Sequence, residues 1–189
     1  MSEAFLIRHA ETAWTLSGRH TGRTDIPLTT GGEAVARRLA ARFAQQPVAQ
    51  VLTSPLQRAL RTCELAGFAD RMALEADLME WDYGEYEGQT STEIAAVAPG
   101  WRLFDDGCPG GESPAEVGAR ADRVIARVRS VDGTTVLFAH GHLFRVLAAR
   151  WLGWPPAAGA HLLLDPATIS VLSDYRGIPA IKRWNIPSD

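Results

Sequence analysis

Phe5-Leu6-Ile7-Arg8-His9-Ala10-Glu11-Thr12 opens the first apolar run of the chain and closes it on a basic pair. An apolar run of this kind reads as a short strand, and ligands of open α/β sheets bind just beyond the carboxyl ends of such strands. A neutral imidazole nitrogen at that place can attack phosphorus, while the adjacent guanidinium, always charged, offsets the oxygens that would repel the attack. Arg8-His9 therefore predicts a phosphate site with a nucleophile inside it. A strand ending in a surface arginine and a packed core histidine would carry the same dipeptide, so the rest of the chain has to decide.

Two more strand-like runs, Gln50–Thr53 and Thr134–Ala139, are followed, like the first, by helical apolar spacing. This alternation predicts an α/β fold with a mostly parallel sheet. Thr30-Gly31-Gly32-Glu33, Ser54-Pro55-Leu56-Gln57 and Ser113-Pro114-Ala115-Glu116 each match a capping box, the last two with Pro at the first helical position. After Ser113, the residues Val117, Ala121, Val124, Ile125 and Val128 share one helical face. The stretch from Trp81 to Gly111 has aromatics and glycines without sustained periodicity, and reads as a lid-like segment, about 81–112, within a single domain spanning 1–189. Ile169–Tyr175 and Ala180–Trp184, separated by Gly177-Ile178-Pro179, predict a hairpin or adjacent edge strands.

A length of 189 residues with 46% hydrophobic composition suits one domain with an ample core. The net charge of −3 argues against a nucleic-acid partner, which needs a concentrated basic surface. Lys182 is the only lysine, so an arginine here is informative by position and not by type. Cys63 and Cys108 stand far apart, which suggests neither a disulfide framework nor a thiolate metal site and fits a reducing cytoplasm. Glu3, Arg8 and Glu11 interrupt the N-terminus where a secretory signal would be apolar. His140, His142 and Arg145 break the apolar region near Phe138, so no membrane span is expected. Oligomeric state is not legible; a homodimer is compatible with the sequence.

Arg58 falls in the first turns of the helix that follows Ser54, where unpaired amides and the helix dipole favour an anion. The third strand ends in Phe138-Ala139-His140-Gly141-His142, which brings His140 to the sheet edge that holds His9, as a third cation or donor. Gly141 there would let backbone approach a ligand closely. Arg8, His9, Arg58 and His140 thus converge on one place.

Four motifs, Leu6-Ile7-Arg8-His9-Ala10-Glu11-Thr12, Thr53-Ser54-Pro55-Leu56-Gln57-Arg58-Ala59, Glu80-Trp81-Asp82-Tyr83-Gly84 and Ala139-His140-Gly141-His142, together resemble the histidine phosphatase superfamily, whose best-known branch is cofactor-dependent phosphoglycerate mutase. They occur in the family's order and span nearly the whole chain. The resemblance implies a phosphoglycerate mutase-like three-layer α/β/α sandwich and chemistry that calls for no cofactor and no metal. It implies that Arg8, Arg58 and His140 clamp phosphate, that His9 is transiently phosphorylated, and that Glu80 is the proton donor. Asp82, Glu85 and Glu87 could each serve as the acid on chemical grounds; the family's spacing before Gly84 selects Glu80 and leaves the others as a solvated acidic loop.

The loop from Ser17 to Asp25 resembles the family's pocket-lining loop. Thr21 and Gly22 are its candidate hydroxyl and amide donors, while Arg19, His20 and Arg23, with His142, are candidates to meet a second anionic group. Two departures concern substrate choice. Ala10 stands where the family commonly has glycine, and Thr15 where it has asparagine; a Thr hydroxyl replaces one amide hydrogen bond but not the full donor set.

The expected function is a metal-independent phosphomonoesterase, of histidine acid-type, acting through phosphohistidine on a small phosphorylated metabolite. Resemblance to the sedoheptulose bisphosphatase branch points to a sugar phosphate or bisphosphate. Phosphoglycerate mutase-type transfer is the near alternative, but such mutases shield phosphohistidine with a longer basic insertion and tail, whereas Arg102 is the only obvious basic group in this lid. A non-catalytic phospholigand-binding module would be expected to lose His9 or Glu80. A metal pair at His140-Gly141-His142 lacks a second ligand cluster, and His161 is assigned to structure.

Overall fold

A computed structural model describes residues 2–188. Its first half runs β1 (Glu3–Arg8), α1 (Ala13–Ser17), α2 (Thr30–Phe43), β2 (Gln50–Thr53), α3 (Gln57–Cys63) and β3 (Ala73–Leu74). The second half continues α4 (Ser91–Val97), α5 (Leu103–Asp106), α6 (Pro114–Arg129), β4 (Thr134–Ala139), α7 (Gly141–Trp151), β5 (Ile169–Tyr175) and β6 (Ile178–Ile186). The strands form one six-stranded sheet in the order β3-β2-β4-β1-β5-β6. β1 to β4 run parallel to one another, and β5 and β6 add antiparallel at one edge.

Alternation along the strands builds the two cores, because successive side chains of a strand point to opposite faces. Leu6, Leu52, Leu137 and Ala139 join one cluster with Val117, Ala121 and Val124 of α6 and Leu143, Phe144 and Leu147 of α7. Ile7, Val51, Val136 and Phe138 join the other, with Leu39 and Phe43 of α2 and Cys63, Ala66 and Phe68 at and beyond the end of α3. β4 is buried along its whole length, as a strand covered on both faces must be. The three-layer sandwich expected from the sequence is the one observed.

Helix starts followed the capping chemistry with two corrections. Ser113 and Glu116 cap α6 reciprocally, with Ser113 Oγ accepting from the Glu116 N–H and the Glu116 carboxylate accepting from the Ser113 N–H. In α2 the cap is Thr29, whose hydroxyl accepts from the Gly32 N–H; the cap lies one residue earlier than Thr30 and, with glycine at the third helical position, is not a reciprocal box. Ser54 is not the cap of α3, which begins at Gln57, whose N–H is taken by Asp25; Ser54 Oγ accepts from the Leu56 N–H just before the helix and also meets His140. The segment after Trp81 is also more regular than its composition suggested. It contains α4, with a Thr90–Glu93 capping box, and it sends Trp81 and Tyr83 into the core beside α6 and α7. Gly84, at φ +50°, lies so close to the 109–111 turn that a Cβ would sit 2.2 Å from the Pro109 carbonyl oxygen. Among the described residues no helix is long and apolar enough to cross a membrane.

Candidate active site

Three neighbouring strands, β2, β4 and β1, deliver Ser54, His140 and the Arg8-His9 pair to one edge of the sheet. The His9 N–H donates to the Ala139 carbonyl, continuing the β1–β4 ladder, while its ring Nδ1 donates to the carbonyl of Ala10 at 2.8 Å. Fixing the proton on Nδ1 leaves Nε2 with its lone pair. Burial, then the charges of Arg58 and Arg8, hold the His9 pKa well below the usual imidazole range, so the ring is neutral. Ala10 is braced in turn by α3: its N–H donates to Thr62 Oγ, which donates to the Arg58 carbonyl.

His140 lies fully buried beside it, with ring centroids 5.2 Å apart. Its Nε2 meets Ser54 Oγ at 2.8 Å, and burial together with Arg58 pushes its pKa well down. His140 is therefore a neutral donor and not a third cation. Its Nδ1 is a buried atom with no partner among the described residues, and it carries the ring proton in the tautomer in which Ser54 Oγ–H donates to Nε2. Arg8 donates from Nη1 to the Leu164 carbonyl. Arg58, 0% exposed, donates from Nη1 to the Thr24 carbonyl and from Nη2 to the carbonyls of Thr21 and Gly22. The Nε–H groups of both arginines are likewise buried without a protein partner among the described residues. Buried donors are almost always satisfied, so three such donors around one imidazole form a site for an oxyanion.

Glu80, buried, accepts N–H groups from Trp81 at 3.0 Å, His142 at 3.1 Å and Leu143 at 2.9 Å, the last two being first-turn amides of α7. Beside it Tyr83 donates its O–H to His142 Nδ1 at 2.5 Å; burial raises the phenol pKa well above its ordinary value and pushes that of His142 well down. Arg8, His9, Glu80, Tyr83, His142 and Arg145 line a cleft of about 220 Å³ whose rim adds Trp14, Thr15, Gly18, Arg19, His20, Thr21, Ser91, Gly141 and Leu164.

Several expected contacts are differently employed. Arg58 and His140 do not line the open cleft; they are fully buried beside His9, and what they leave free for an oxyanion there, among the described residues, is the Arg58 Nε–H and His140 Nδ1 alone. The Gly22 amide, expected to face phosphate, is held by the Glu87 carboxylate at 2.9 Å, and a Cβ at Gly22 would lie 2.6 Å from the Trp81 carbonyl oxygen. Glu87 also accepts from Thr24 N, and Asp82 accepts from Gly84 N, so these carboxylates brace loops where a solvated role was expected. Thr15 reaches the rim, yet its hydroxyl donates to the Thr12 carbonyl inside the cap of α1. Arg19 pairs with Glu93 at 3.3 Å. His20 donates from Nδ1 to the Gln89 carbonyl, with its ring stacked 5.9 Å from His142. Gly141 makes room for Arg8, since a Cβ there would stand 3.1 Å from Arg8 Nε.

Tyr83 and Arg145 were not read as site residues from the sequence. Arg145 follows Gly141 by four residues, one helical turn on the same face, which is the signal that would have found it.

The model of the histidine phosphatase superfamily (branch 1) matches residues 4–187. This chain belongs to that family. Among relatives of this histidine phosphatase, an acid phosphatase of Mycobacterium tuberculosis is 38% identical over 179 residues, covering 92% of this chain and 87% of that one. Sedoheptulose 1,7-bisphosphatase of Saccharomyces cerevisiae is 32% identical over 180 residues, covering 78% of this chain and 66% of the yeast protein. A protein named probable phosphoglycerate mutase from Photorhabdus laumondii is 30% identical, covering 95% and 87%. A solved Mycobacterium tuberculosis structure superposes with a TM-score of 0.94 at 33% identity, over 100% of this chain and 99% of that one. The phosphatase names among these relatives support a phosphatase within the histidine phosphatase superfamily.

Proposed function

We propose that the chain hydrolyses small phosphorylated metabolites, sugar phosphates or bisphosphates, through phosphohistidine at His9. The observation that carries this reading is the neutral, Nδ1-anchored imidazole of His9 set among three buried donors without protein acceptors. The ester phosphate accepts from Arg8, Arg58 and His140, each bond to a charged donor contributing about 1.5–3 kcal/mol. His9 Nε2 forms the new bond to phosphorus as the bond to the ester oxygen breaks, and the Glu80 carboxyl gives its proton to the departing alkoxide. The donors stabilise the charge on the equatorial oxygens. Water then attacks phosphorus, gives its proton to the Glu80 carboxylate, and the P–N bond breaks to release phosphate and neutral His9.

Two features support a polyhydroxylated, doubly charged substrate. Tyr83, His20, His142 and Ser91 offer hydrogen-bonding groups around the cleft. Arg145, stacked 4.4 Å over Phe104, donates to the carbonyls of Gly159 and Ala160, and no carboxylate among the described residues lies within ion-pair distance of it. An uncompensated guanidinium on the wall suits a second phosphate. The mutase-named relatives favour transfer between hydroxyls as a second reading. Against it, Arg102 is exposed and paired with Asp105, turned to no part of the cleft. Unpaired Cys63 and Cys108 suit a cytoplasmic setting.

Phosphate release from an aryl phosphate and from sugar mono- and bisphosphates, in chelator, tests the proposal alongside isomerisation of 3-phosphoglycerate. Acid-quenched turnover should show an added phosphoryl mass on His9, absent in His9→Ala. The mass on another side chain, turnover lost with chelator, or isomerisation outrunning hydrolysis would overturn it.

A further inference from the structure

Residues 162–168, between the turn at Pro156–His161 and β5, belong to no strand, yet they hold the Arg8-His9 pair at three points. The Leu164 carbonyl accepts from Arg8 Nη1, and the single N–H of Ala167 reaches the carbonyls of Arg8 at 3.1 Å and His9 at 3.2 Å. Ala167 does this at φ +56°, a left-handed conformation that a side chain with a Cβ disfavours.

The same segment is gripped from its far side by β6. Ile169 pairs with Ile186 while Val171 pairs with Arg183, so β6 carries one extra residue there. The bulge puts Asn185 at φ +55°, with its N–H on Ser170 Oγ. It also aims two side chains at the segment. Asn185 Oδ1 accepts from the Asp165 N–H at 2.7 Å and Nδ2 donates to the Asp165 carboxylate at 2.8 Å, while Trp184 Nε1 donates to the Leu163 carbonyl at 2.6 Å. Both neighbours of Leu164 are thereby pinned to the edge strand, and Leu164 pins Arg8. Two of the three left-handed non-glycine residues among those described are Ala167, in this connection, and Asn185, in the strand that grips it. Bulges re-aim side chains beside active sites, and strained conformations persist where their surroundings over-determine them.

We infer that the β6 bulge, through Asn185 and Trp184, is a positioning device for the Arg8-His9 pair, acting through the carbonyl of Leu164 and the N–H of Ala167. The catalytic meaning of this device rests on the phosphohistidine reading; its geometry does not. Arg8 has one guanidinium nitrogen committed to Leu164, and that commitment sets where its Nε–H points.

The test compares the full chain with Asn185→Gly and Ile181→Ala. Glycine adopts φ +55° freely, so the first variant removes the side-chain bonds and spares the backbone. The second loosens the same strand by trimming a side chain that packs on the core from β6 and takes no part in the bonds to Asp165 and Leu163. Binding of inorganic phosphate is read by calorimetry, and the Arg8 Nε–H by its proton–nitrogen correlation. Asn185→Gly should move or broaden that signal, weaken phosphate binding about tenfold and lower kcat/KM by about the same factor, with Ile181→Ala like wild type in all three. If Asn185→Gly only lowers the melting temperature, or if both variants act alike, the inference fails while the function stands. If wild type neither binds phosphate nor turns over, the functional reading fails, and the Arg8 signal in Asn185→Gly still decides the mechanical link. Should Asn185→Gly not fold, Trp184→Phe, which removes only the Leu163 bond, is read by the same outcomes.

Discussion

Adding a single methyl group at Gly141 should separate the stability of this molecule from its chemistry. Gly141 is the first residue of α7, and a Cβ built there stands 3.1 Å from Arg8 Nε, 3.2 Å from Cζ and 3.5 Å from Nη1. Such contacts force the neighbour to give by a few tenths of an ångström, but Arg8 is half-buried and tethered through Nη1 to Leu164. The backbone itself gains, because alanine in a helix is favoured over glycine by roughly 0.5–1 kcal/mol. Gly141→Ala should therefore melt at or slightly above the wild-type temperature. Its Arg8 Nε–H, pushed off line, forfeits one charge-assisted bond to phosphate, about 1.5–3 kcal/mol. At about 1.4 kcal/mol per decade, kcat/KM should fall roughly tenfold to a hundredfold. Steady-state hydrolysis of an aryl phosphate, product-phosphate inhibition and thermal melting on one preparation measure all of this. A kcat/KM within twofold of wild type, with the fold intact, would refute the assignment of Arg8 Nε as a phosphate donor.

Stability should depend on pH through three buried imidazoles. His9, His140 and His142 are held neutral when folded, each with its pKa well below the ordinary value, so the unfolded chain binds more protons below about pH 6.5. Stability is then full above that value and declines as pH falls, so the melting temperature should drop between pH 7 and pH 5, before the carboxylates titrate; a flat profile there would contradict the assignment. The neutral His9 further implies that kcat/KM shows no acid-side break near pH 6.5, which a pH–rate profile checks. Arg120 donates to both oxygens of Glu112 and to the carbonyls of Asp77 and Met79 beneath Glu80, with only 10% of its side chain exposed. Arg120→Met leaves the Glu112 carboxylate only the Asp82 N–H and the longer Arg23 contact at 3.7 Å, and should cost about 3 kcal/mol in denaturant unfolding. Arg145→Met should raise KM for a sugar bisphosphate about tenfold while leaving an aryl phosphate within twofold, an effect of the size of one charged hydrogen bond.

The parts of the fold that were legible are those where one physical rule acts alone. Gln50–Thr53 and Thr134–Ala139 were found to the residue because each is a short apolar run with polar residues marking where it begins, Gln50 in one and Thr134 in the other. Ser113 and Glu116 likewise carried their reciprocal cap in the open. Thr29 and Thr30 offered the same hydroxyl one residue apart, and only the position of the Gly32 N–H chooses between them. Ser54 was misread because the helix starts two residues later than the cap position would allow, leaving its hydroxyl to the Leu56 N–H and to His140, 86 positions away, a contact no local pattern can carry. The Thr90–Glu93 box lay in plain sight but inside a segment whose aromatics hid its helix. In the site, motif and strand-end logic brought Arg8, His9, Glu80 and His140 together; their division of labour was not legible. Whether Gly22 offers its amide to a ligand or to Glu87, and whether His140 is charged, depends on burial and on partners distant in the chain.

Arg58 anchors the carbonyls of Thr21, Gly22 and Thr24 with the same guanidinium that faces His9. On the proposed mechanism, the half of the cleft that would meet phosphorus is thus cast in one piece with the main chain, while the half that would meet the alcohol is lined by side chains such as His142 and Arg145. If that division holds, mutational drift would retarget the scaffold to new alcohols by exchanging those side chains and leaving the phosphate end alone, and an inhibitor that mimics phosphate would gain its selectivity only from the alcohol side.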